Sequence, residues 1–160
     1  MVRFRPTREF AKEANQLFLE QRRRVLRLLP YAKIKHIGST AISGALTKGD
    51  LDIFVIVPRS RFKGSIARLR RIYKVNQLKN WTKSFASFKD DSSFGLKFGL
   101  QLVSDVKKYD FLIHVNLFKK NPRLLRQYNE LKQKYHGKRM RDYRKAKEQF
   151  LTKLVKHNTS

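Results

Sequence analysis

The run Ile53-Phe54-Val55-Ile56-Val57 leaves few options for the chain around it. Five consecutive β-branched and aromatic residues, with no polar alternation, suit a central strand covered on both faces rather than one with a wet side. Two carboxylates, Asp50 and Asp52, open that strand. Side chains at i and i+2 of a strand point the same way, so the acids project together from one face and repel. A divalent cation removes the repulsion, and Mg²⁺ favours one or two carboxylates with waters and substrate phosphate oxygens.

Upstream, the stretch from Tyr31 to Ile37 alternates enough for a short strand, with His36 a packed or partly exposed residue in it rather than a metal ligand, and it feeds the turn Gly38-Ser39-Thr40. Glycine lets backbone approach a phosphate closely, and the N–H groups of Ser39, Thr40 and Ala41 open a short helix toward it, with Ser39 or Thr40 as its N-cap. Asp50 and Asp52 as metal ligands, with Gly38, Ser39 and Thr40 as a phosphate cradle, read as two halves of a metal–triphosphate site. The plainer alternative makes Gly38-Ser39 a simple turn and Asp50 a helix-stop residue.

Gly38-Ser39, ten intervening residues and Asp50-Leu51-Asp52-Ile53 together resemble the signature of the nucleotidyltransferase superfamily, and His36-Ile37-Gly38-Ser39-Thr40-Ala41-Ile42-Ser43-Gly44 resembles its GrpB-type branch. Tyr128-Asn129-Glu130-Leu131-Lys132 and Tyr143-Arg144-Lys145-Ala146-Lys147 are similar to the tyrosine-and-lysine pattern of that family's C-terminal helices, and Ile113-His114-Val115 to its late histidine strand. The resemblance implies an α/β (α+β) fold, a mixed sheet flanked by helices. It also implies transfer of a nucleoside monophosphate from an NTP to an acceptor with Mg²⁺ or Mn²⁺, and it makes Lys132 and Lys147 the phosphate partners.

Two departures from the family pattern matter. GrpB-type sequences usually have an apolar residue where Asp50 stands, so this chain looks more like an active transferase than its nearest relatives do. Active members of the superfamily generally take a third carboxylate from a later strand. Here Asp110, or His114 as its substitute, is the candidate third metal ligand or general base, on a strand expected over Tyr109 to Phe118. Asp110 reads equally as a turn residue after Lys107-Lys108.

At 160 residues the chain is about one domain long, with a core over about 7–118 and basic C-terminal helices over about 121–157. Apolar spacing predicts a helix over 7–29 capped by Thr7, and another from Ser60 to about Tyr73. Trp81 reads as a core anchor. Strands are expected over Ser84 to Lys89, Phe94 to Val103 and Tyr109 to Phe118, an antiparallel meander with its first turn at Asp90 to Ser93. Asn121-Pro122 starts a helix to about His136-Gly137, and a last helix runs from Met140 to His157.

Thirty-eight Lys and Arg against twelve Asp and Glu give a formal charge of +26, which attracts polyanions. Nucleic acid, RNA or DNA, is the favoured partner because the implied chemistry is also nucleotide chemistry. Arg22, Arg23 and Arg27, and Arg139, Arg141 and Arg144, are the candidate phosphate-backbone contacts. Tyrosines among these cations suit single strands, whose bases stack, although Tyr128, Leu131, Tyr143, Phe150 and Leu154 also read as a packing stripe. The chain has no long apolar run, no secretion signal and no cysteine, so a cytoplasmic protein without disulfides or thiolate zinc is expected. A non-catalytic binding module on the same fold, and a small-molecule transferase, remain the alternatives to nucleotidyl transfer to nucleic acid. Nothing in the sequence sets the oligomeric state.

Overall fold

In a computed structural model, which describes residues 1–90, 95–105 and 111–158, the elements follow in order. They are β1 (Arg5–Pro6), α1 (Ala11–Leu28), β2 (Lys33–Ile37), β3 (Leu46–Thr47), β4 (Leu51–Ile56), α2 (Phe62–Leu69), β5 (Lys74–Val75), β6 (Phe85–Asp90), β7 (Phe98–Val103), α3 (Phe111–Lys120), α4 (Pro122–Tyr135) and α5 (Met140–Asn158). The main sheet has the order β2-β4-β7-β6-β5, and β4 and β7 run parallel while the other neighbours are antiparallel. β1 and β3 form a separate antiparallel pair.

The absence of polar alternation in β4 has a simple cause: both faces of the sheet are covered. On one face Leu51, Ile53 and Val55 join Leu100 and Leu102 of β7 beneath Leu17 and Val25 of α1 and Phe62 and Leu69 of α2. On the other, Phe54 and Ile37 lie beneath Val115 and Phe118 of α3, Tyr128 of α4 and Leu154 of α5. Asp52 shares the second face with Phe54, because they are two residues apart. The sheet therefore presents the carboxylate toward the three C-terminal helices. The fold is the expected mixed α/β layer arrangement.

Several sequence expectations hold at element level. α1 and α5 lie where the apolar spacing puts them. The Asn121 side chain accepts from the backbone N–H of Leu124 at 3.3 Å, with Pro122 in the first position of α4. Trp81 packs its ring 5.3 Å from Phe88 and donates from Nε1 to the Asn76 carbonyl. No helix among the described residues is long and apolar enough to cross a membrane.

Of the strand expected over Tyr109 to Phe118, the described residues, 111–118, are helical and belong to α3. Leu112, Val115 and Phe118 all pack into the second core, and their spacing of three is helical. The β-branched and aromatic composition of the segment concealed that period. His114 is therefore a helical residue, and Asp110 lies outside the described residues. The antiparallel meander is instead β5-β6-β7, with β5 too short to show a pattern in sequence. Of the turn expected from Asp90 to Ser93, Asp90 is the last residue of β6 and the rest lies outside the described residues.

Thr7 does not cap α1. It sits in a single 3₁₀ turn, Thr7–Glu9, and its hydroxyl donates to the Ala45 carbonyl at 2.5 Å, while α1 begins after Phe10 without a side-chain cap. The β1–β3 pairing brings Thr7 beside the 45–47 segment, so a long-range partner displaces the local one. Likewise Ser60 lies in a 3₁₀ turn, Arg59–Arg61, rather than at the cap of α2, which ends at Leu69.

Candidate active site

β2 ends at Ile37, and the chain turns at Gly38 with φ 77° and ψ −176°, a conformation open in practice only to glycine. A single 3₁₀ turn, Ser39–Ala41, follows. Neither Ser39 nor Thr40 caps it with a side chain; Gly38 holds the cap position. The Thr40 hydroxyl instead donates to the Asp50 carbonyl at 3.0 Å and lies 2.9 Å from His36 Nε2. A hydroxyl has one proton, and the carbonyl takes it, so Nε2 must carry the imidazole hydrogen. The chain His36–Thr40–Asp50 thus ties the glycine turn to the start of β4.

His36 stacks on Phe18 with centroids 5.3 Å apart. Burial, and then the charge of Lys119, lowers its pKa to about 4, so it is neutral near pH 7. The unfolded chain binds this proton near the ordinary value of 6.5, so His36 contributes stability that is present above pH 6.5 and lost as pH falls toward 4. Urea midpoints measured across that window should show a steeper acid loss in the wild type than in His36→Gln.

Asp52 is wedged between two glycines. A Cβ on Gly38 would lie 2.7 Å from its Oδ2, and a Cβ on Gly99, its neighbour across the β4–β7 register, would lie 2.8 Å from its Oδ1. Burial first, and then the charge of Asp50, raises the Asp52 pKa to about 6, while Lys147 and Lys48 pull it back. Asp50 stands one residue before β4, with Lys48 Nζ 3.1 Å from its Oδ2. Gln101 follows on β7, opposite Phe54, and its Oε1 is buried without a hydrogen-bond partner among the described residues.

Both acids, the Gly38-Ser39 turn, Gln101 and His114 line a cleft of about 560 Å³, into which Lys48, Lys89, Lys97, Arg144 and Lys147 also project. That volume suits a small polar ligand, and five cations beside two acids suit one carrying several negative charges. Among the described residues no group of three or more His, Cys, Asp or Glu could hold a metal. The donors that the two carboxylates offer are oxygens, and these suit a hard cation such as Mg²⁺ or Mn²⁺.

Other sequence candidates are placed differently. Lys132 is buried beneath the glycine turn, donating to Ser39 Oγ at 2.6 Å and to the Leu46 carbonyl at 2.5 Å, with Nζ 4.0 Å from the centre of the Tyr128 ring. Burial, then Lys147 and Lys48, holds its ammonium well below the usual lysine range. Arg139 and Arg141 both approach Asp142, at 2.9 and 3.9 Å. Arg22, Arg23 and Arg27 are exposed on α1, which packs on the sheet face away from the cleft. Among the cleft residues that sequence reasoning missed are Lys48, Lys89, Lys97, Gly99 and Gln101. An isolated glycine inside a strand pattern marks a close approach, and Gly99 carried that signal.

The profile of the GrpB protein family matches residues 8–157. The chain belongs to the GrpB family. A UPF0157 protein of Vibrio cholerae is 27% identical over 155 residues, covering 96% of this chain and 82% of the relative. The crystal structure of GrpB from Enterococcus faecalis superposes with a TM-score of 0.73 at 18% identity, over 92% of this chain and 95% of that one. The Cid1 poly(U) polymerase, in a structure with MgGTP bound, is similar at a TM-score of 0.56 and 18% identity; the match covers 76% of this chain and 41% of Cid1. These likenesses show a nucleotidyltransferase-like fold.

The family-like segment Tyr128 to Lys132 has a physical role in this GrpB chain. The Tyr128 ring stacks on Phe118 with centroids 4.7 Å apart, and its hydroxyl, raised to about 12 chiefly by burial, hydrogen-bonds toward Tyr143 and Ser39. Asn129 clamps the loop before β3, accepting from the Leu46 N–H at 2.8 Å and donating to the Gly44 carbonyl at 2.9 Å. Asn129→Ala should therefore lower stability by about 2 kcal/mol, the sum of two ordinary hydrogen bonds, as measured by urea unfolding.

Proposed function

We propose that this GrpB protein transfers a nucleoside monophosphate from an NTP to an acceptor hydroxyl and releases pyrophosphate, with RNA or another nucleic acid as the acceptor. The observation that carries this reading is the pair Asp50 and Asp52, opening into a cationic cleft under a glycine turn. In the reaction the acceptor oxygen forms a bond to the α-phosphorus, the bond to the bridging oxygen of the β-phosphate breaks, and the hydroxyl proton leaves to a base.

The chain's own groups divide the work. Backbone N–H groups after Gly38 and the cations Lys48, Arg144 and Lys147 hold the triphosphate, while Lys132 acts through Ser39, which it fixes from behind. Asp50 and Asp52 would hold Mg²⁺ or Mn²⁺, whose charge stabilises the transferring phosphoryl group. His114, which lines the cleft, would take the acceptor proton. The exposed arginines of α1 and the cations of α5 would carry the nucleic acid, and the protein would act in the cytoplasm.

The second reading is a nucleotide-binding or nucleic-acid-binding module without turnover. Lys48 already offsets Asp50, and no third carboxylate joins the pair among the described residues. Incubation with Mg²⁺, each α-labelled NTP and total cellular RNA separates the two. Label on the RNA is the expected result, nucleotide binding without label transfer supports the module, and neither binding nor transfer would sink both.

A further inference from the structure

We propose that the α1–α2 layer is a docking surface for double-stranded nucleic acid, held by its phosphates on the side of the sheet opposite the cleft, so that duplex and nucleotide bind together. This docking role rests on the nucleic-acid part of the proposed function and not on the transfer step. The charge along the chain is unevenly laid out: from Gln21 to Gly49, and again from Ile53 to Lys89, there is no acid. Those stretches supply the C-terminal part of α1 and all of α2, whose apolar residues Val25, Phe62 and Leu69 pack on one face of the sheet. Arg22, Arg23 and Arg27 of α1 are exposed, as are Arg68, Arg70 and Arg71 at and just after the end of α2.

Side chains tie the two helices together. Arg68 donates from its guanidinium to the carbonyl of Leu28, the last residue of α1, at 2.8 Å. Tyr31 Oη lies 2.9 Å from Ser65 Oγ, and the Arg61 guanidinium stands 5.1 Å from the centre of the Tyr31 ring. The arginines of both helices therefore belong to one layer. Arg24 is engaged within the protein, over the Tyr73 ring and 3.9 Å from Asp90. The six exposed arginines form no ion pair among the described residues, so their charge is left for a partner.

Arginine forks match phosphate oxygens and read no base through them. A single strand needs aromatic faces for its bases as well. On this side of the sheet the rings are already engaged: Phe18 stacks on His36, Phe62 and Tyr73 are buried, and Tyr31 lies under Arg61. Tyr128 and Tyr143, set among the C-terminal cations, are only 4% and 2% exposed. A duplex offers its phosphates while its bases stay stacked on each other, and that is the form a cationic surface without free rings can hold. A lipid surface fits less well, because Leu19 is the one exposed large apolar side chain on the two helices and an interfacial helix needs a whole apolar face. The residues lining the cleft come from other elements, and a helix about 10 Å across stands between the sheet and the outer arginines.

Fluorescence anisotropy of a labelled RNA duplex, a DNA duplex of the same length and the corresponding single strand, titrated with the full-length protein over a range of salt, tests this. Either duplex, bound more tightly than the single strand, supports the assignment. Arg23→Gln with Arg27→Gln and Arg71→Gln should flatten the slope of log affinity against log salt by about two to three units, at about 0.9 of a counterion per lost phosphate contact. Lysine at the same three positions should keep the slope, and urea midpoints check that both variants fold. Saturating ATP with Mg²⁺ should leave duplex affinity unchanged. A preference for the single strand, an unchanged slope in the folded glutamine variant, displacement of the duplex by ATP, or tighter binding to phosphatidylserine vesicles would overturn the proposal. Label transfer to RNA by a protein that binds no duplex defeats only this inference. Duplex binding without transfer upholds it and defeats the transfer step, and the loss of both defeats the two readings together.

Discussion

Asp52→Asn should abolish label transfer and at the same time make the protein more stable above pH 6. The activity loss should exceed a hundredfold, because the substitution removes the carboxylate that faces the cleft while keeping its shape. The stability gain follows from linkage. Burial and Asp50 raise the folded-state pKa of Asp52 to about 6 from an ordinary 3.8, so the folded protein holds this proton more tightly than the unfolded chain. Stability from this group therefore grows as pH falls from 6 toward 4, and above pH 6 the buried charge opposes folding by up to about 3 kcal/mol. The amide carries no charge to bury. Urea unfolding at pH 7.5 should show the variant as the more stable protein, and the wild type should lose that disadvantage near pH 4. His36 acts with the opposite sign over an overlapping window, so the two contributions partly mask each other in the wild type and Asp52→Asn exposes the His36 slope. A variant with activity within a few fold of wild type would remove Asp52 from the chemistry.

Gly38→Ala and Gly99→Ala should both lose most of the activity, but only the first should lose the fold's stability as well. Each new methyl group would stand under 3 Å from an Asp52 oxygen and push the carboxylate out of its slot. Displacement of a catalytic group by about 1 Å can cost a hundredfold in rate. Gly38 in addition has φ 77°, where any other residue is strained by about 1–3 kcal/mol. Gly99 lies in the regular β7 ladder and carries no such strain. Steady-state rates beside urea midpoints separate the effects: Gly99→Ala isolates the displacement of Asp52, and Gly38→Ala adds the backbone term. Wild-type rates in Gly99→Ala would mean that the carboxylate has room to move without consequence.

The local signals were strong where they rested on a period or a turn residue. The unbroken apolar run at Ile53, the apolar stripe of α1, the asparagine cap with Pro122 and the Gly38-Ser39 turn are each set by neighbours within a few residues. The C-terminal tyrosines were legible as a packing stripe for the same reason. Where a long-range partner competes, reading by neighbours fails: Thr7 has the chemistry of a cap, but the 45–47 segment brings it a carbonyl from elsewhere. Residues 111–118 fail for another reason, since Leu, Ile, Val and Phe at nearly every position leave period two and period three difficult to tell apart until one face has a core to meet.

The sequence by itself determined that two carboxylates would open a buried strand beside a glycine turn, because strand alternation and glycine's backbone freedom act over two or three residues. Only the tertiary structure decided what surrounds them. The parallel pairing of β4 with β7 sets Gly99 and Gln101 beside Asp52, the packing of α4 slides Lys132 under Ser39, and α5 brings Lys147 and Arg144 to the same cleft. Those partners lie some 45 to 95 positions away along the chain. No local pattern encodes such contacts, because they depend on how whole elements bury their apolar faces against one another.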